Sequence, residues 1–221
     1  MFTGITRGIF DVTHTERRAD LLRYVVDLGD YGRGLEPGAS VSIDGCCQTV
    51  VTRKDAGDRC LVTFDAIVET LEKTTLGALA PGSRVSVERS ARVGDEIGGH
   101  DVSGHIVGTG QIVVARTSGH DVSLELEVPR PWMKYLSHKG YVALDGSSLT
   151  VGDVDREAGR FDVHLIPETL RLTNFGAKAD RVHAGEKPLV NVELDPKTVA
   201  IVDTVERLLP AMLAARDASR G

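Results

Sequence analysis

A chain of 221 residues, 41% hydrophobic and 26% charged, has the make-up of one large globular domain or two small ones. A formal net charge of −6 leaves no electrostatic footprint for DNA, RNA or an anionic membrane, and 5% aromatics argue against a stacking platform for single-stranded nucleic acid. No run approaches the ~18 apolar residues that span a bilayer, and the start Met1-Phe-Thr-Gly-Ile lacks the pattern of a signal peptide, so a cytoplasmic protein with no nucleic-acid or membrane partner is expected.

In chain order, residues 22–27 read as a strand closed by the turn Gly29-Asp30-Tyr31-Gly32. Residues 40–44 and 48–52 read as two more, flanking Gly45-Cys46-Cys47, and residues 60–64 and 84–88 follow, with Pro81-Gly82 between them. Residues 69–77 suggest a helical turn leading into a loop. Short strands with closely spaced turn signals indicate an antiparallel sandwich or a small barrel. No helical period alternates with them, which argues against a Rossmann-type sheet. Gly108-Thr-Gly110 follows no clear strand and opens no helix, so it is set aside as a dinucleotide loop. Cys46, Cys47 and Cys60 have no CxxC spacing and are expected as reduced thiols.

The pattern then begins again. Ser103-Gly104-His105-Ile106 repeats Thr3-Gly4-Ile5-Thr6, and Val142-Ala-Leu-Asp-Gly-Ser-Ser-Leu-Thr-Val151 repeats Val41-Ser-Ile-Asp-Gly-Cys-Cys-Gln-Thr-Val50. Residues 168–176 match residues 69–77, and residues 190–193 match 85–88; the largest insertion falls in the polar segment 178–187. The chain is therefore read as a duplication: one module over residues 1–100, a second over 101–197, and a tail over 198–221. In the tail, Asp195 suits a helix cap and Pro196 the first helical position. Val199, Val202, Val205, Leu209 and Met212 recur at helical spacing, and Pro210 is expected to kink or interrupt the helix. Such a helix either docks on a barrel or pairs with its copies in other subunits, and the second is favoured.

Alternate residues of a strand share a face, so Ile43, Gly45, Cys47 and Thr49 line up against Leu144, Gly146, Ser148 and Thr150. A thiol and a hydroxyl thus stand at equivalent places beside small glycines that let a flat ligand approach. The plainer alternative is a buried hydrophobe at Cys47 and a turn hydroxyl at Ser148. His105 replaces Ile5, and it either moves protons near neutral pH or serves a structural bond. His100 with His105 hints at a metal, but no further ligand spacing completes a site. Asp195 stands opposite Ser90, and it is either a helix cap alone or a cap that also serves the site. Lys139 is either a surface lysine or a cation for a ligand's polar edge.

These residues resemble the riboflavin synthase family of the trimeric, alpha-chain type. The likeness rests on Met1-Phe-Thr-Gly-Ile, the box from Asp44 to Val50, Asp95-Glu-Ile-Gly-Gly-His100, Ser103-Gly-His-Ile106, Lys139-Gly, the box from Asp145 to Val151, His164-Leu-Ile-Pro-Glu-Thr-Leu170 and the tail from Asp195 to Arg207. The resemblance implies an all-β fold of two tandem six-stranded Greek-key barrels and a C-terminal trimerising helix. It implies dismutation of two 6,7-dimethyl-8-ribityllumazine molecules by four-carbon transfer, without metal or organic cofactor, at sites between subunits of a homotrimer. It leaves association with lumazine synthase open. Carried over by position, Gly4, Ile5, Thr6, Cys47, Gln48, Thr49 and the 65–70 segment, with Asp65, Ile67 and Thr70, form a first-barrel pocket. Gly104, His105, Ile106, Lys139, Ser148, Leu149, Thr150 and the 164–169 segment, with His164, Ile166 and Thr169, form a second-barrel pocket. Cys47, His105, Ser148 and Asp195 are expected to affect rate most. Asn174-Phe175 and the 178–187 segment depart from the family pattern at the rim of the second pocket.

Overall fold

The computed structural model describes residues 1–119 and 121–218. Strands β1 (Gly8–Arg17), β2 (Leu21–Asp27), β3 (Ser40–Ile43), β4 (Cys46–Ala56), β5 (Arg59–Ile67) and β6 (Arg84–Arg89) close into an antiparallel barrel in the order β1-β2-β5-β4-β3-β6. Strands β7 (Gly108–Ser118), β8 (Asp121–Glu127), β9 (Tyr141–Leu144), β10 (Ser147–Asp155), β11 (Arg160–Leu165) and β12 (Leu189–Leu194) close a second barrel with the same cyclic order. The duplication in the sequence is thus a duplication in space.

Alternation builds the core in strands such as β2, β5 and β8, whereas β3, β6, β9 and β12 are buried on both faces. In β2, Leu22, Tyr24 and Val26 point inward, and in β8 Val122, Leu124 and Leu126 do the same. Phe64 and Val62 complete the first interior, Phe161 and Val163 the second. Each fully buried aliphatic or Phe side chain contributes about 1.5–3 kcal/mol. Strand β1 lacks a clean alternation, because Asp11, His14, Glu16 and Arg17 crowd it and its register with β2 shifts between Val12 and His14. That irregularity is why it escapes a reading by period.

Two-residue turns join β3 to β4 and β9 to β10. Asp44 (φ 43°) and Gly45 (φ 81°) in one, and Asp145 (φ 44°) and Gly146 (φ 81°) in the other, adopt the doubly left-handed geometry that Asp-Gly favours. The two turns meet back to back: a Cβ on Gly45 would lie 2.4 Å from the Gly146 amide nitrogen. The barrels therefore touch through backbone at this point.

Short helix α1 (Val68–Lys73) and a 3-10 turn (Thr75–Ala78) follow β5, and α2 (Pro167–Leu172) follows β11. Segment 178–187, read from sequence as a polar loop, is mostly helix: α3 runs Phe175–His183. Phe175 and Ala179 are buried, and Val182 packs against the second core, so an i, i+4, i+7 stripe is present beneath the surrounding charges. Helix α4 (Pro196–Ala218) continues through Pro210 rather than being interrupted there. Residues 219–221 of the expected tail helix lie outside the described residues. Its start is held to the second barrel by Val199 and by Lys134, whose ammonium donates to Asp203 (3.1 Å) and Glu206 (2.6 Å). Further along, Ile201, Val205, Leu208, Leu209, Met212 and Leu213 are exposed. Among the described residues no helix is long and apolar enough to cross a membrane.

Candidate functional site

The hairpin β3–β4 sets Cys47 opposite Ser42 and Thr49 opposite Ser40; the hairpin β9–β10 sets Ser148 opposite Ala143 and Thr150 opposite Tyr141. Cys47 and Ser148 are half-buried, while Thr49 and Thr150 are exposed. The intervening residues face the other way. Gln48 is buried in the first barrel, where its Oε1 accepts from the Tyr24 hydroxyl (3.2 Å) and its Nε2 donates to the Cys47 carbonyl (3.0 Å); Leu149 takes the matching inward place in the second.

The two glycine loops cross over to the opposite barrel. The Cys47 amide donates to the Gly104 carbonyl (2.9 Å), and the Ser148 amide donates to the Gly4 carbonyl (2.8 Å). A bridge between Phe2 and Val102 ties the loops together at the middle. Residues grouped by copy in the sequence are therefore exchanged in space: Gly104 sits on Cys47, and Gly4 sits on Ser148. Both glycines have positive φ (74° and 82°), and a Cβ would fall 2.5 Å from the Ser148 Cβ or 2.6 Å from the Cys47 Cβ. Only glycine allows this approach.

One buried glutamate anchors each loop. Glu88 accepts from the Thr3 amide (2.6 Å), the Thr3 hydroxyl (2.8 Å) and the Gly4 amide (3.1 Å). Glu193 accepts from the Ser103 amide (2.7 Å), the Ser103 hydroxyl (2.8 Å) and the Gly104 amide (2.8 Å). Burial pushes the Glu88 carboxyl above its ordinary value, against the pull of its donors. The next residues differ between copies. Thr6 shares a hydrogen bond with Ser147 (2.9 Å), whereas Ile106 packs into the first core. Ile5 is half-buried, and His105 in the equivalent place is exposed.

Asp195 caps α4, accepting from the Lys197 amide (3.3 Å), the Thr198 amide (3.0 Å) and the Thr198 hydroxyl (2.6 Å). Burial raises its carboxyl, but these donors together hold it below its ordinary value. It also lies close enough to His100 to act on that imidazole electrostatically. The remaining sequence candidates are peripheral in their bonding. Asp65 forms a two-pronged pair with Arg23 (2.8 and 2.7 Å), which holds its carboxyl low. Ile67 and Ile166 are exposed, and the carbonyls of Thr70 and Thr169 accept from Thr74 and Thr173. His164 lies 3.1 Å from Asp121, and Lys139 is an exposed residue at φ 64° whose amide donates to Val151. Among the described residues, no side chain of these seven hydrogen-bonds to a side chain of Cys47, Thr49, Ser148 or Thr150.

Sequence reasoning overlooked Ser40, Ser42 and Tyr141 as neighbours of the two corners, although the register across an Asp-Gly turn points to all three. The sequence offers His100 as a metal-ligand candidate, whereas in the structure its Nδ1 lies 2.6 Å from the Ser148 hydroxyl. Among the described residues no three His, Cys, Asp or Glu side chains converge as a metal site. A cavity of about 990 Å³ lies at the barrel junction beside Arg17, Leu71, Arg84, Asn174, Lys178 and Leu189, and neither Cys47 nor Ser148 lines it. Asp44 lines this cavity, and burial together with the nearby Asp145 pushes its carboxyl up to about 7, while Lys178 makes an ion pair with Asp145.

The Lumazine binding domain family matches the chain twice, over residues 3–90 and 103–195. Riboflavin synthase of Escherichia coli (strain K12) is 45% identical over 213 residues, covering 96% of this chain and 94% of its own. Riboflavin synthase of Mycobacterium tuberculosis (strain ATCC 25618 / H37Rv) is 37% identical over 210 residues, covering 95% and 98%. Among solved structures, LumP complexed with riboflavin matches with a TM-score of 0.76 at 21% identity, covering 88% of this chain and 100% of that one. LumP complexed with 6,7-dimethyl-8-(1'-D-ribityl) lumazine matches with a TM-score of 0.74 at 20% identity, covering 88% and 99%. At that identity the likeness establishes the fold alone. Two matched lumazine-binding units and high identity along nearly the whole length make this chain a member of the riboflavin synthase family.

Proposed function

We propose that the protein is a riboflavin synthase, a transferase that binds two molecules of 6,7-dimethyl-8-ribityllumazine and moves a four-carbon unit from one to the other. The products are riboflavin and 5-amino-6-ribitylamino-uracil, which together account for every atom of the two substrates. One observation carries the reading beyond family likeness. Duplicated lumazine-binding barrels place unlike reactive groups, the thiol of Cys47 and the hydroxyl of Ser148, at equivalent half-buried positions. Two identical substrates need two related seats, and donor and acceptor roles need those seats to differ.

In this reading Cys47 adds to the ring or positions an added water, and exposed His105 moves the proton of the acidic 7-methyl group. Ser148 and Asp195 orient and polarise the partner ring. Holding two substrates face to face supplies much of the acceleration, since good orientation is worth about 7–11 kcal/mol. The apolar stripe of α4 supports self-association, and we take the assembly to be a homotrimer whose reaction sites lie between one subunit's first barrel and the next subunit's second. Three free thiols suit a reducing compartment, in keeping with a cytoplasmic enzyme.

The test is direct. Purified protein incubated with dimethylribityllumazine is expected to form one riboflavin for every two lumazines lost, followed by absorbance. Tight binding with no conversion would instead establish a lumazine-holding protein and overturn the enzyme reading. Cys47→Ser and His105→Gln are each expected to slow turnover by at least about tenfold with the fold intact. A chain ending at Lys197 is expected to sediment below the size of the full-length assembly; an unchanged oligomer would remove the role given to α4.

A further inference from the structure

Cys47 and Ser148 occupy equivalent places, and each is covered by a glycine of the other copy's loop. Ser148 has an additional wall, the connector between the copies. A Cβ on Gly99 would meet the Ser148 Cβ at 2.6 Å and the Thr3 carbonyl at 2.4 Å, so the connector backbone lies directly against this corner. His100, the next residue, is 8% exposed. Its ring stacks on Tyr141, with centroids 5.1 Å apart and planes at 19°, and Tyr141 pairs across the ladder with Thr150. Its Nδ1 lies 2.6 Å from the Ser148 hydroxyl oxygen. No histidine reaches the Cys47 thiol in this way among the described residues.

The other ring nitrogen decides the direction of that bond. His100 Nε2 is buried and has no partner among the described residues. Burial also lowers the imidazole's basicity, which keeps it neutral near pH 7. A neutral ring carries one N–H. Placed on Nε2, it would be a buried donor without an acceptor, at a cost of about 1–3 kcal/mol. Placed on Nδ1, it donates to the Ser148 oxygen and leaves only a lone pair at Nε2, the better tolerated orphan. Ser148 then accepts from His100, and its own O–H is free to donate outward.

We propose that His100 is a positioning residue that holds Ser148 as a hydrogen-bond donor toward a ring acceptor, a carbonyl oxygen or heterocyclic nitrogen, of the substrate in the second barrel's corner. Cys47 has no such partner, and so the two corners differ in chemistry as well as in side chain. The inference rests on the functional reading above and adds the residue that sets the polarity of one seat.

A double-mutant cycle tests it, with His100→Phe, His100→Asn, Ser148→Ala and the His100→Phe/Ser148→Ala pair. Turnover and lumazine binding, read by fluorescence titration, are measured on each full-length protein, with thermal melting as a check on folding. His100→Phe keeps the bulk and the stacking but removes the bond; kcat/KM is expected to fall about 10- to 100-fold. His100→Asn restores an amide donor near the place of Nδ1 and is expected to recover most of that loss. In the Ser148→Ala background, His100→Phe is expected to change the rate less than about twofold, because the interaction it removes is already gone. Equal losses in both backgrounds would assign His100 a general structural role and overturn the proposal, as would an unaffected His100→Phe. An unaffected Ser148→Ala would overturn it too, while riboflavin production by the wild type left the enzyme reading standing. If the wild type only binds lumazine, the same cycle in affinity still decides whether His100 acts through Ser148.

Discussion

Gly104 closes over Cys47 as Gly4 closes over Ser148, and each loop hangs from a single buried glutamate, yet among the described residues an imidazole meets Ser148 and none meets Cys47. The second barrel also carries α3, whose Lys178 pairs with Asp145, while the matching Asp44 of the first barrel accepts from the Ser86 amide (2.7 Å) and makes no ion pair among the described residues. The backbone frame is nearly the same in both copies, down to the left-handed Asp-Gly turns. What differs lies in the groups placed around that frame. A duplication can thus keep two ligand seats congruent and still make them chemically unequal.

The sharpest way to break this comparison is at the shared centre. Gly45→Ala puts a methyl group into the Gly146 backbone at a residue with φ 81°, and a loss of about 4 kcal/mol in unfolding free energy is expected by chemical denaturation. A loss below about 1 kcal/mol would mean that the turns do not meet as described. Next in size are the two loop anchors. Glu88→Ala and Glu193→Ala each leave two amides and a hydroxyl without their acceptor, and each is expected to cost about 2–4 kcal/mol. Costs differing by more than about 2 kcal/mol would show that the copies are not mechanically equivalent.

The smallest effect is one of pH. Burial beside Asp145 pushes the Asp44 carboxyl from an ordinary 3.8 up to about 7, so between those values the folded state holds a proton that the unfolded chain has released. Stability from this group is therefore fully present below about pH 4, declines as pH rises toward 7, and is level above. Asp44→Asn keeps an oxygen for the Ser86 amide and cannot titrate. The loss of stability between pH 5 and pH 8 is expected to be smaller in this variant by about 1–2 kcal/mol, measured by urea titration at both values. Parallel pH dependences would place Asp44 in an ordinary, ionised state.

Local patterns made much of the molecule legible. Short runs between turn signals mark strands such as β2 and β5, strands flanking Gly45-Cys46-Cys47 mark the first hairpin with its turn one residue late, and Asp195-Pro196 marks the start of α4. Strand β1 was missed because its bulge and its charges blur the alternation, and α3 because its narrow apolar stripe is hidden among charged residues. Of the site, Cys47 and Ser148 were visible as an unlike pair at matching positions, and the family resemblance named the rest.

By itself the sequence determined that two copies of one unit exist and which side chains differ between the copies, because these follow from spacing along a few neighbouring residues. It put Ile43 on the face of Cys47 and Thr49, but the Asp44-Gly45 turn sends Ile43 into the core. Only the tertiary structure decided that Gly4 serves Ser148 and Gly104 serves Cys47, and that His100 turns its imidazole onto the serine hydroxyl. Those contacts join segments far apart in the chain, and the packing of one barrel against the other, not any local preference, brings them within hydrogen-bonding distance.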